Sequence, residues 1–224
     1  MKKLLITSLL FILVFCASSA VLKAQTSEDI YNIIEQVSAQ RIEQDITTLV
    51  NFGTRHTLSD TLSNKTGIGA ARRWIKKNFE ATSAACNNCL EVFYQSDLVK
   101  KGTNDRIIKD VAVVNVVAVQ RGTKYPNRYI IMSGDIDSRV SDPADYSTTS
   151  PGANDNASGM AGTLEAARVL SKYRFENSII YVGLSGEEQG LFGGKGLAAY
   201  AKKNNWDIIG VLNNDMIGNI TGVD

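Results

Sequence analysis

The 224-residue sequence has almost no excess charge of either sign. Its 24 lysines and arginines nearly balance its 23 aspartates and glutamates, and the basic residues form no stripe. Nucleic-acid binding depends on a basic surface that neutralises phosphates, so we predict that nucleic acid is not a partner. With 44% hydrophobic and 21% charged residues, the composition is that of a globular α/β domain with a sizeable core.

Beyond its first two dozen residues, the sequence lacks any apolar run near the roughly 20 residues that a membrane helix needs. It begins with MKK and the apolar stretch LLITSLLFILVFCASSAVL. This pattern predicts a secretory signal peptide at residues 1–24, cleaved after Ala24, and a secreted or periplasmic protein without stable membrane insertion. Polar residues within the run disfavour an uncleaved anchor, and the bulky Phe15 disfavours a lipoprotein attached through Cys16.

Cysteine is scarce, and Cys16 would leave with the signal peptide. Cys86 and Cys89 remain, in the sequence CNNC. Outside the cytoplasm, two thiols this close favour a local disulfide. A zinc pair is less favoured because it needs two further ligands nearby. A redox motif is less favoured because no thioredoxin-like unit surrounds the two cysteines.

Periodic apolar residues predict alternating helices and strands. The predicted helices cover residues 28–50 (in one or two pieces, with Ser27 as the first cap), 64–80, 156–173 and 190–204. The predicted strands cover residues 90–96, 111–120, 128–134, 178–186 and 207–215. Strand and helix alternate from Tyr129 onward, which predicts a largely parallel sheet with helices on both faces.

Acidic residues recur at one edge of this predicted sheet. They are Asp135 and Asp137 after RYIIMSG, Asp155 in PGANDNASG, Glu187 and Glu188 after SIIYVGLSG, and Asp215 after DIIGVLNN. Open parallel sheets bind ligands beyond the carboxyl ends of their strands. One such residue alone is usually a solvated loop residue or, for Asp155, a plain helix cap. Four groups at one edge indicate a site.

Carboxylates that converge repel one another unless protons or cations neutralise them. Metal pairs about 3.5–4 Å apart solve this problem in aminopeptidases. The doublet Glu187–Glu188 suits a divided task, because adjacent side chains in extended backbone point in opposite directions. One carboxylate can bind metal while the other serves as general base for the metal's water.

The motifs PGANDNASG, GLSGEEQGLFGGK and NNDMIGN, in this order, resemble those of the secreted bacterial di-zinc aminopeptidases. The wider family includes glutamate carboxypeptidases and glutaminyl cyclases, and NFGTRHTLS resembles a segment ahead of their catalytic core. The resemblance implies a three-layer α/β sandwich around a mostly parallel mixed sheet, the phosphorylase/hydrolase-like zinc exopeptidase fold. The domain would occupy residues 25–224 and be incomplete at its C-terminus.

The resemblance also implies a role for each acidic residue. Asp155 would bridge two zinc ions, Glu188 would bind one of them, and Asp215 would bind the other. Glu187 would be the general base that takes a proton from the bridging water. A cis peptide bond between Asp155 and Asn156 is a further implication.

Asp135 departs from the family pattern, which has a histidine ligand at the start of an HxD motif. Asp135 can replace the imidazole, since aspartate oxygen binds zinc, and manganese would then be an alternative metal. In two less favoured interpretations, Asp135 leaves a one-metal site, or the protein is an inactive peptide-binding relative. Asp137, our second catalytic candidate, would support Asp135 if a proton or a cation such as Arg139 separated the two carboxylates.

The family's last histidine ligand also has no counterpart up to Asp224, and no helix follows the last predicted strand. We therefore expect the sequence to be an N-terminal fragment or a truncated reading frame. His56, the one histidine, is expected to have a structural or substrate-side role rather than to replace a ligand. The predicted function is an exported metallo-aminopeptidase acting on peptides with two zinc ions. The alternatives are a glutaminyl cyclase and a non-catalytic peptide-binding relative, and the sequence does not indicate an oligomeric state.

Overall fold

The computed structural model describes residues 28–219 of the chain. The predicted signal peptide at residues 1–24, Cys16 and the predicted cap at Ser27 lie outside the described residues. None of the helices between residues 28 and 219 is long and apolar enough to cross a membrane.

The described residues fall into two units that divide after Glu35. Within the first unit, the structure describes one helix, α1 (Glu28–Glu35). Its apolar side chains Ile30, Tyr31 and Ile34 are exposed. The second unit holds the sheet and the acidic residues.

The second unit contains, among residues 36–219, four α-helices and five strands. The helices are α2 (Ala39–Asn51), α3 (Gly67–Ala85), α4 (Gly159–Leu170) and α5 (Phe192–Lys203). The strands are β1 (Leu90–Val99), β2 (Val111–Gln120), β3 (Tyr125–Asp135), β4 (Asn177–Leu184) and β5 (Asp207–Asn214). A π-helical turn, Ala153–Ser158, leads into α4.

The helix predicted over residues 28–50 is present as two pieces, α1 and α2. The side chain of Ser38 starts α2 by accepting a hydrogen bond from the Arg41 amide, as an N-cap residue does. The helix predicted from residue 156 begins as a regular α-helix only at Gly159, because the π-helical turn occupies the preceding residues.

The sheet has the strand order β1-β2-β4-β3-β5. β3 runs parallel to both β4 and β5, whereas β2 is antiparallel to β1 and to β4. Four strands therefore point in one direction and β2 points in the other. The prediction of a mostly parallel mixed sheet is confirmed.

Helices cover both faces of this sheet. The apolar side chains of α3 and α4 pack with Val116, Ala118 and Tyr181 on one face. The apolar residues of α3 that recur at helical spacing are fully buried, namely Ile68, Ala71, Ile75 and Phe79. Leu197 of α5 packs with Val117 on the other face. β2 contributes to both layers, as its nearly continuous apolar sequence predicts. The three-layer sandwich is confirmed.

Cys86 and Cys89 follow the end of α3 and form a disulfide. The predicted local disulfide is confirmed, and in this form the pair does not bind zinc. β5 pairs only with β3 among the described strands, and its side chains Val211 and Leu212 are exposed.

Candidate metal centre

The carboxyl ends of the three parallel strands bring the predicted acidic residues to one edge of the sheet. Gly134 of β3 lies opposite both Gly183 of β4 and Asn214 of β5. Asp135 ends β3, and Asp215 directly follows β5. Because the strands end in register, the loops that carry Asp137, Glu187 and Asp215 begin side by side.

Asp155 reaches this edge through the π-helical turn before α4. Gly152 starts the turn with φ +48°, and a Cβ there would lie 2.3 Å from the backbone oxygen of Asp155, so only glycine fits. The Asp155–Asn156 peptide bond is cis, as the family resemblance implied. The Asn156 amide then donates to Asp135 Oδ2 and to the backbone oxygen of Asn214, each at 2.9 Å.

Arg55 has a fully buried side chain that holds the backbone of two of these loops. Its guanidinium donates to the backbone oxygens of Ile136 (2.9 Å), Leu49 (2.9 Å), Pro151 (2.6 Å) and Gly152 (3.0 Å). Burial lowers the pKa of Arg55 to about 10, so the side chain stays charged at neutral pH. Sequence analysis missed this residue, whose only signal was its place in NFGTRHTLS.

Asp137 organises the loop after β4. Its buried carboxylate accepts hydrogen bonds from the amides of Glu187 (3.3 Å) and Glu188 (3.2 Å) and from the Thr57 hydroxyl (3.2 Å). Burial raises the pKa of Asp137, while these hydrogen bonds oppose the shift. The observed contacts are those of a positioning residue, and a catalytic role for Asp137 stays a prediction.

Glu187 and Glu188 lie in a turn, so the expectation of extended backbone is wrong. The amides of Gly190 and Leu191 both donate to the backbone oxygen of Glu187, at 2.9 Å, and this closes the turn. The two carboxylates still have different surroundings. Glu188 accepts a hydrogen bond from Arg139 Nε at 2.5 Å, whereas Glu187 lines a cavity of about 420 Å³ together with Asp135 and Asp215.

The position of Arg139 corrects one expectation about Asp135 and Asp137. We expected a proton or Arg139 to separate these two carboxylates, but Arg139 pairs with Glu188. Burial, and then the negative charge of Asp137, raise the pKa of Asp135 to about 7. In the absence of a metal ion, a proton is therefore the neutralising partner of Asp135 near neutral pH.

Glu187, like Asp135, lies near several negative charges. Burial, followed by the charges of Asp137, Glu188, Asp215 and Asp155, raises the pKa of Glu187 to about 7. The pKa of Glu188 is also raised by burial despite its bond to Arg139. The pKa of Asp155 is raised by burial and by Asp215. These carboxylates share one electrostatic environment, and a general base with a pKa near 7 suits neutral solution.

The donor set fits a divalent cation in atom type and in charge. All the candidate ligands offer carboxylate oxygens, which bind zinc and manganese. Within residues 28–219, no three His, Cys, Asp or Glu side chains are grouped tightly enough to form a ready binding cluster. Glu188 would have to leave Arg139, and Asp135 would have to leave Asn156. The assignment of Asp135, Asp155, Glu188 and Asp215 as ligands stays a prediction.

His56 is engaged through both ring nitrogens. Nδ1 accepts from the Leu58 amide at 3.0 Å, so Nε2 carries the proton and donates to the Pro143 oxygen at 3.0 Å. Gln189 Nε2 lies 3.0 Å from the same Nε2, while Gln189 Oε1 is buried without a partner. Exchanging the two ends of the Gln189 amide lets Oε1 accept from His56. The expected structural role of His56 is supported.

A three-layer sandwich with acidic residues beyond the carboxyl ends of its parallel strands has the architecture of the zinc exopeptidases. Comparison of the sequence with known families agrees with this class. Residues 115–222, which contain all six acidic residues, match the model of Peptidase family M28. This segment of the chain is similar to that family.

Related sequences carry the description "Probable zinc metalloprotease". The protein from Leptosphaeria maculans is 44% identical over 195 residues, which are 87% of this chain and 45% of the relative. One from Pyrenophora tritici-repentis is 39% identical over 197 residues, covering 88% and 45%. The chain thus spans less than half the length of these relatives. Both are fungal, so the bacterial part of the resemblance stays a prediction.

Solved structures with the same fold include two Legionella pneumophila proteins. LapB superimposes with a TM-score of 0.66 at 23% identity, covering 85% of this chain and 46% of LapB. The LapA aminopeptidase gives 0.64 at 20% identity, covering 84% and 44%. A Bacteroides thetaiotaomicron glutaminyl cyclase bound to N-acetylhistamine gives 0.62 at 20% identity, covering 84% and 65%. At these identities the likeness shows the fold alone.

Proposed function

We propose that the chain carries the metal-binding part of an exported metallo-aminopeptidase, which removes N-terminal residues from peptides with a pair of zinc ions. The observation that carries the proposal is the convergence of six carboxylates at one edge of the sheet, with Arg139 as their only close ion-pair partner among the described residues. The match to Peptidase family M28 and the zinc metalloprotease relatives support it.

The carboxylates would divide the binding of the ions. Asp155 would contact both ions, Glu188 one and Asp215 the other, with Asp135 in the position of the family's histidine. Bound zinc, or manganese in its place, supplies Lewis acidity at the peptide carbonyl and lowers the pKa of a bound water.

Glu187 is the proposed general base. With its pKa near 7, its carboxylate can take a proton from the attacking water and later give it to the leaving amine. Asp137 supports this transfer indirectly, because it holds the backbone amides of Glu187 and Glu188. Arg55 fixes the backbone of the loops that carry Asp137 and Asp155.

The cavity of about 420 Å³ supports an aminopeptidase over an enzyme that cleaves within chains. It combines Asp135, Glu187 and Asp215 with apolar walls from Leu184 and Val211. The apolar walls suit the side chain of a peptide's first residue. Export is supported by the signal-peptide pattern and by the disulfide.

The test is to measure zinc content and amino-acid release from short peptides, using the protein that contains this chain. We expect about two zinc ions per protein molecule and a loss of release in Glu187→Gln. Normal turnover in the folded Glu187→Gln variant would contradict the mechanism.

Two rival functions give different results in the same assays. A glutaminyl cyclase would convert peptides with N-terminal glutamine to a cyclised product without releasing an amino acid. A non-catalytic peptide-binding relative would bind no zinc and release nothing.

A further inference from the structure

A second cavity, of about 540 Å³, opens beside α3 and the antiparallel pair β1–β2. We call it the basic cavity; its walls include Ser59, Arg72, Arg73, Tyr94, Lys109 and Asp110. None of the six acidic residues of the candidate metal centre lines it. The proposed peptidase chemistry therefore gives this cavity no role.

Positive charge dominates the lining of the basic cavity. The lining contains three cationic residues and one acidic residue, Asp110; the cationic ones are Arg72, Arg73 and Lys109. The carboxylate of Asp110 already accepts hydrogen bonds from Lys100 Nζ at 2.8 Å and from the Lys101 amide at 2.9 Å. The lining consequently keeps an excess of cationic groups over anionic ones.

Arg72 has a buried donor nitrogen that makes no hydrogen bond among the described residues. Its side chain is only 5% exposed, and Nε donates to the Ser185 hydroxyl at 3.3 Å. Nη2 is buried and has no hydrogen-bond partner among the described residues. A buried donor without a partner is costly, so an acceptor supplied from outside the chain would be stabilised there.

Arg73 and Lys109 differ in the contacts that their charged groups already make. Arg73 donates to the backbone oxygens of Thr61, Leu62 and Ser63, and so holds the wall of the cavity. Lys109 is exposed, and its ammonium lies 3.9 Å from the centre of the Tyr146 ring. Lys109 can therefore turn toward an anion without breaking an ion pair with Asp110, which Lys100 neutralises.

We propose that the basic cavity is an oxyanion-binding site, in which the guanidinium of Arg72 and the ammonium of Lys109 hold a carboxylate or phosphate group. Guanidinium binds such groups through charge-assisted hydrogen bonds. The anion comes either from a peptide held at the metal centre or from a free small molecule.

The peptide source is geometrically reasonable because the two sites share loops. Ser185, the partner of Arg72, stands two residues before Glu187. Leu58, a lining residue, follows Thr57, whose hydroxyl donates to Asp137. The proposal does not depend on peptidase activity, because binding to this cavity can be measured directly.

The experiment is a calorimetric titration of the protein with inorganic phosphate, at an ionic strength kept constant with sodium chloride. We expect saturable binding at one site. Each lost charge-assisted contact should raise the Kd about tenfold, in Arg72→Met and in Lys109→Gln. Lys203→Gln, which removes an exposed charge at the end of α5, is the matched control and should leave the Kd unchanged.

Three results would overturn the proposal: no saturation, an unchanged Kd in Lys109→Gln, or an equal loss in Lys203→Gln. Lys109→Gln keeps the test decisive if Arg72→Met fails to fold, because Lys109 is exposed.

A second titration distinguishes the two sources of the anion. It uses a short peptide with a free C-terminal carboxylate and the same peptide with a C-terminal amide, each in competition with phosphate. Displacement of phosphate by the free carboxylate alone assigns the site to peptides. Phosphate binding that neither peptide disturbs assigns the site to a free anion.

Discussion

Two groups of acidic residues in the second unit differ in how far positively charged side chains compensate their charge. Between α2 and α4, the carboxylate of Glu165 accepts from Arg41 Nε at 2.9 Å and from the Ser38 amide at 2.7 Å. Asp45 accepts from Arg168 at 2.5 Å. We call these residues the paired network. At the sheet edge, Arg139 with Glu188 is the one ion pair found among six acidic residues in the described part of the chain.

The pKa of Glu165 reflects this difference, whereas burial raises the pKa of Asp45 despite its hydrogen bonds from Arg168. Burial alone would raise the pKa of Glu165, but hydrogen bonds from Arg41 and Ser38 bring it below its usual value. Burial dominates for Asp135 and Glu187, and each has a pKa of about 7. Arginine can therefore balance a buried acid such as Glu165 within this fold. The imbalance at the sheet edge marks the residues that are suited to bind a cation.

The largest expected effect is the loss of catalysis when Glu187, the proposed general base, is changed. We expect Glu187→Gln to lower kcat for peptide hydrolysis by about 10²–10⁴-fold, because proton transfer would be lost. Thermal unfolding should change little or shift upward, because one of several repelling charges is removed. Steady-state kinetics and calorimetry on the same preparation check both outcomes. A kcat within threefold of the unmodified protein's (roughly 0.6 kcal/mol) would rule Glu187 out as the base.

The second prediction concerns zinc. Saturating zinc at about 100 times its Kd should stabilise the folded state by about 2.7 kcal/mol for each ion bound. Asp155→Asn should remove most of this gain, because Asp155 is the proposed shared ligand. Glu165→Gln should retain the gain, because the paired network does not bind the ion. Calorimetric scans with and without zinc measure the effect, and an equal gain in Asp155→Asn would contradict the assignment.

The third prediction tests the paired network itself. Glu165→Gln should lower the free energy of unfolding by about 2 kcal/mol, because it removes charged hydrogen bonds and leaves Arg41 and Arg168 undercompensated. Glu43→Gln, an exposed change on α2, is the control and should shift it by less than about 0.5 kcal/mol. Urea unfolding measures both. If the two variants proved equally stable, the network would be dispensable.

The smallest expected effect is the pH dependence of stability without metal. The folded pKa values of Asp135 and Glu187, about 7, exceed their unfolded values. The folded chain therefore binds more protons above the unfolded values and below pH 7. The free energy of unfolding should thus fall as the pH rises through this range. Glu165 acts in the opposite direction, since its stabilisation is lost as the pH falls.

Urea unfolding at about pH 6.0 and about pH 7.0, with a chelator present, measures this dependence. Asp135→Asn should flatten the decline by about 1 kcal/mol, because one raised pKa disappears. Glu43→Gln should leave the decline as it is. A steeper decline in Asp135→Asn would show that the shift at Asp135 is misassigned.

Local sequence patterns were sufficient to predict the layers of the fold and the sheet edge at which the candidate site lies. The apolar spacing of α3 and α4 and the continuous apolar run of β2 identify their buried faces without tertiary information. Asp135, Asp155, Glu187 and Asp215 follow or precede regular elements, and parallel strands bring such positions together.

What the sequence did not reveal depends on contacts between distant segments. Arg139 can reach several carboxylates with its long side chain, and only the folded loop selects Glu188. The turn at Glu187 is set by hydrogen bonds from Gly190 and Leu191, which strand periodicity does not encode. The pairing of Arg41 with Glu165 joins residues 124 positions apart.

The hydrogen bonds of Arg55 have a consequence for the order of events during synthesis. Its acceptors Ile136, Pro151 and Gly152 lie 81, 96 and 97 residues later in the chain. The ribosome releases this arginine long before it releases those partners. Until residue 152 has emerged, water must solvate the guanidinium, because a buried charge without acceptors is strongly unfavourable. The loops of Asp137 and Asp155 therefore become fixed together, only after residue 152 has been synthesised.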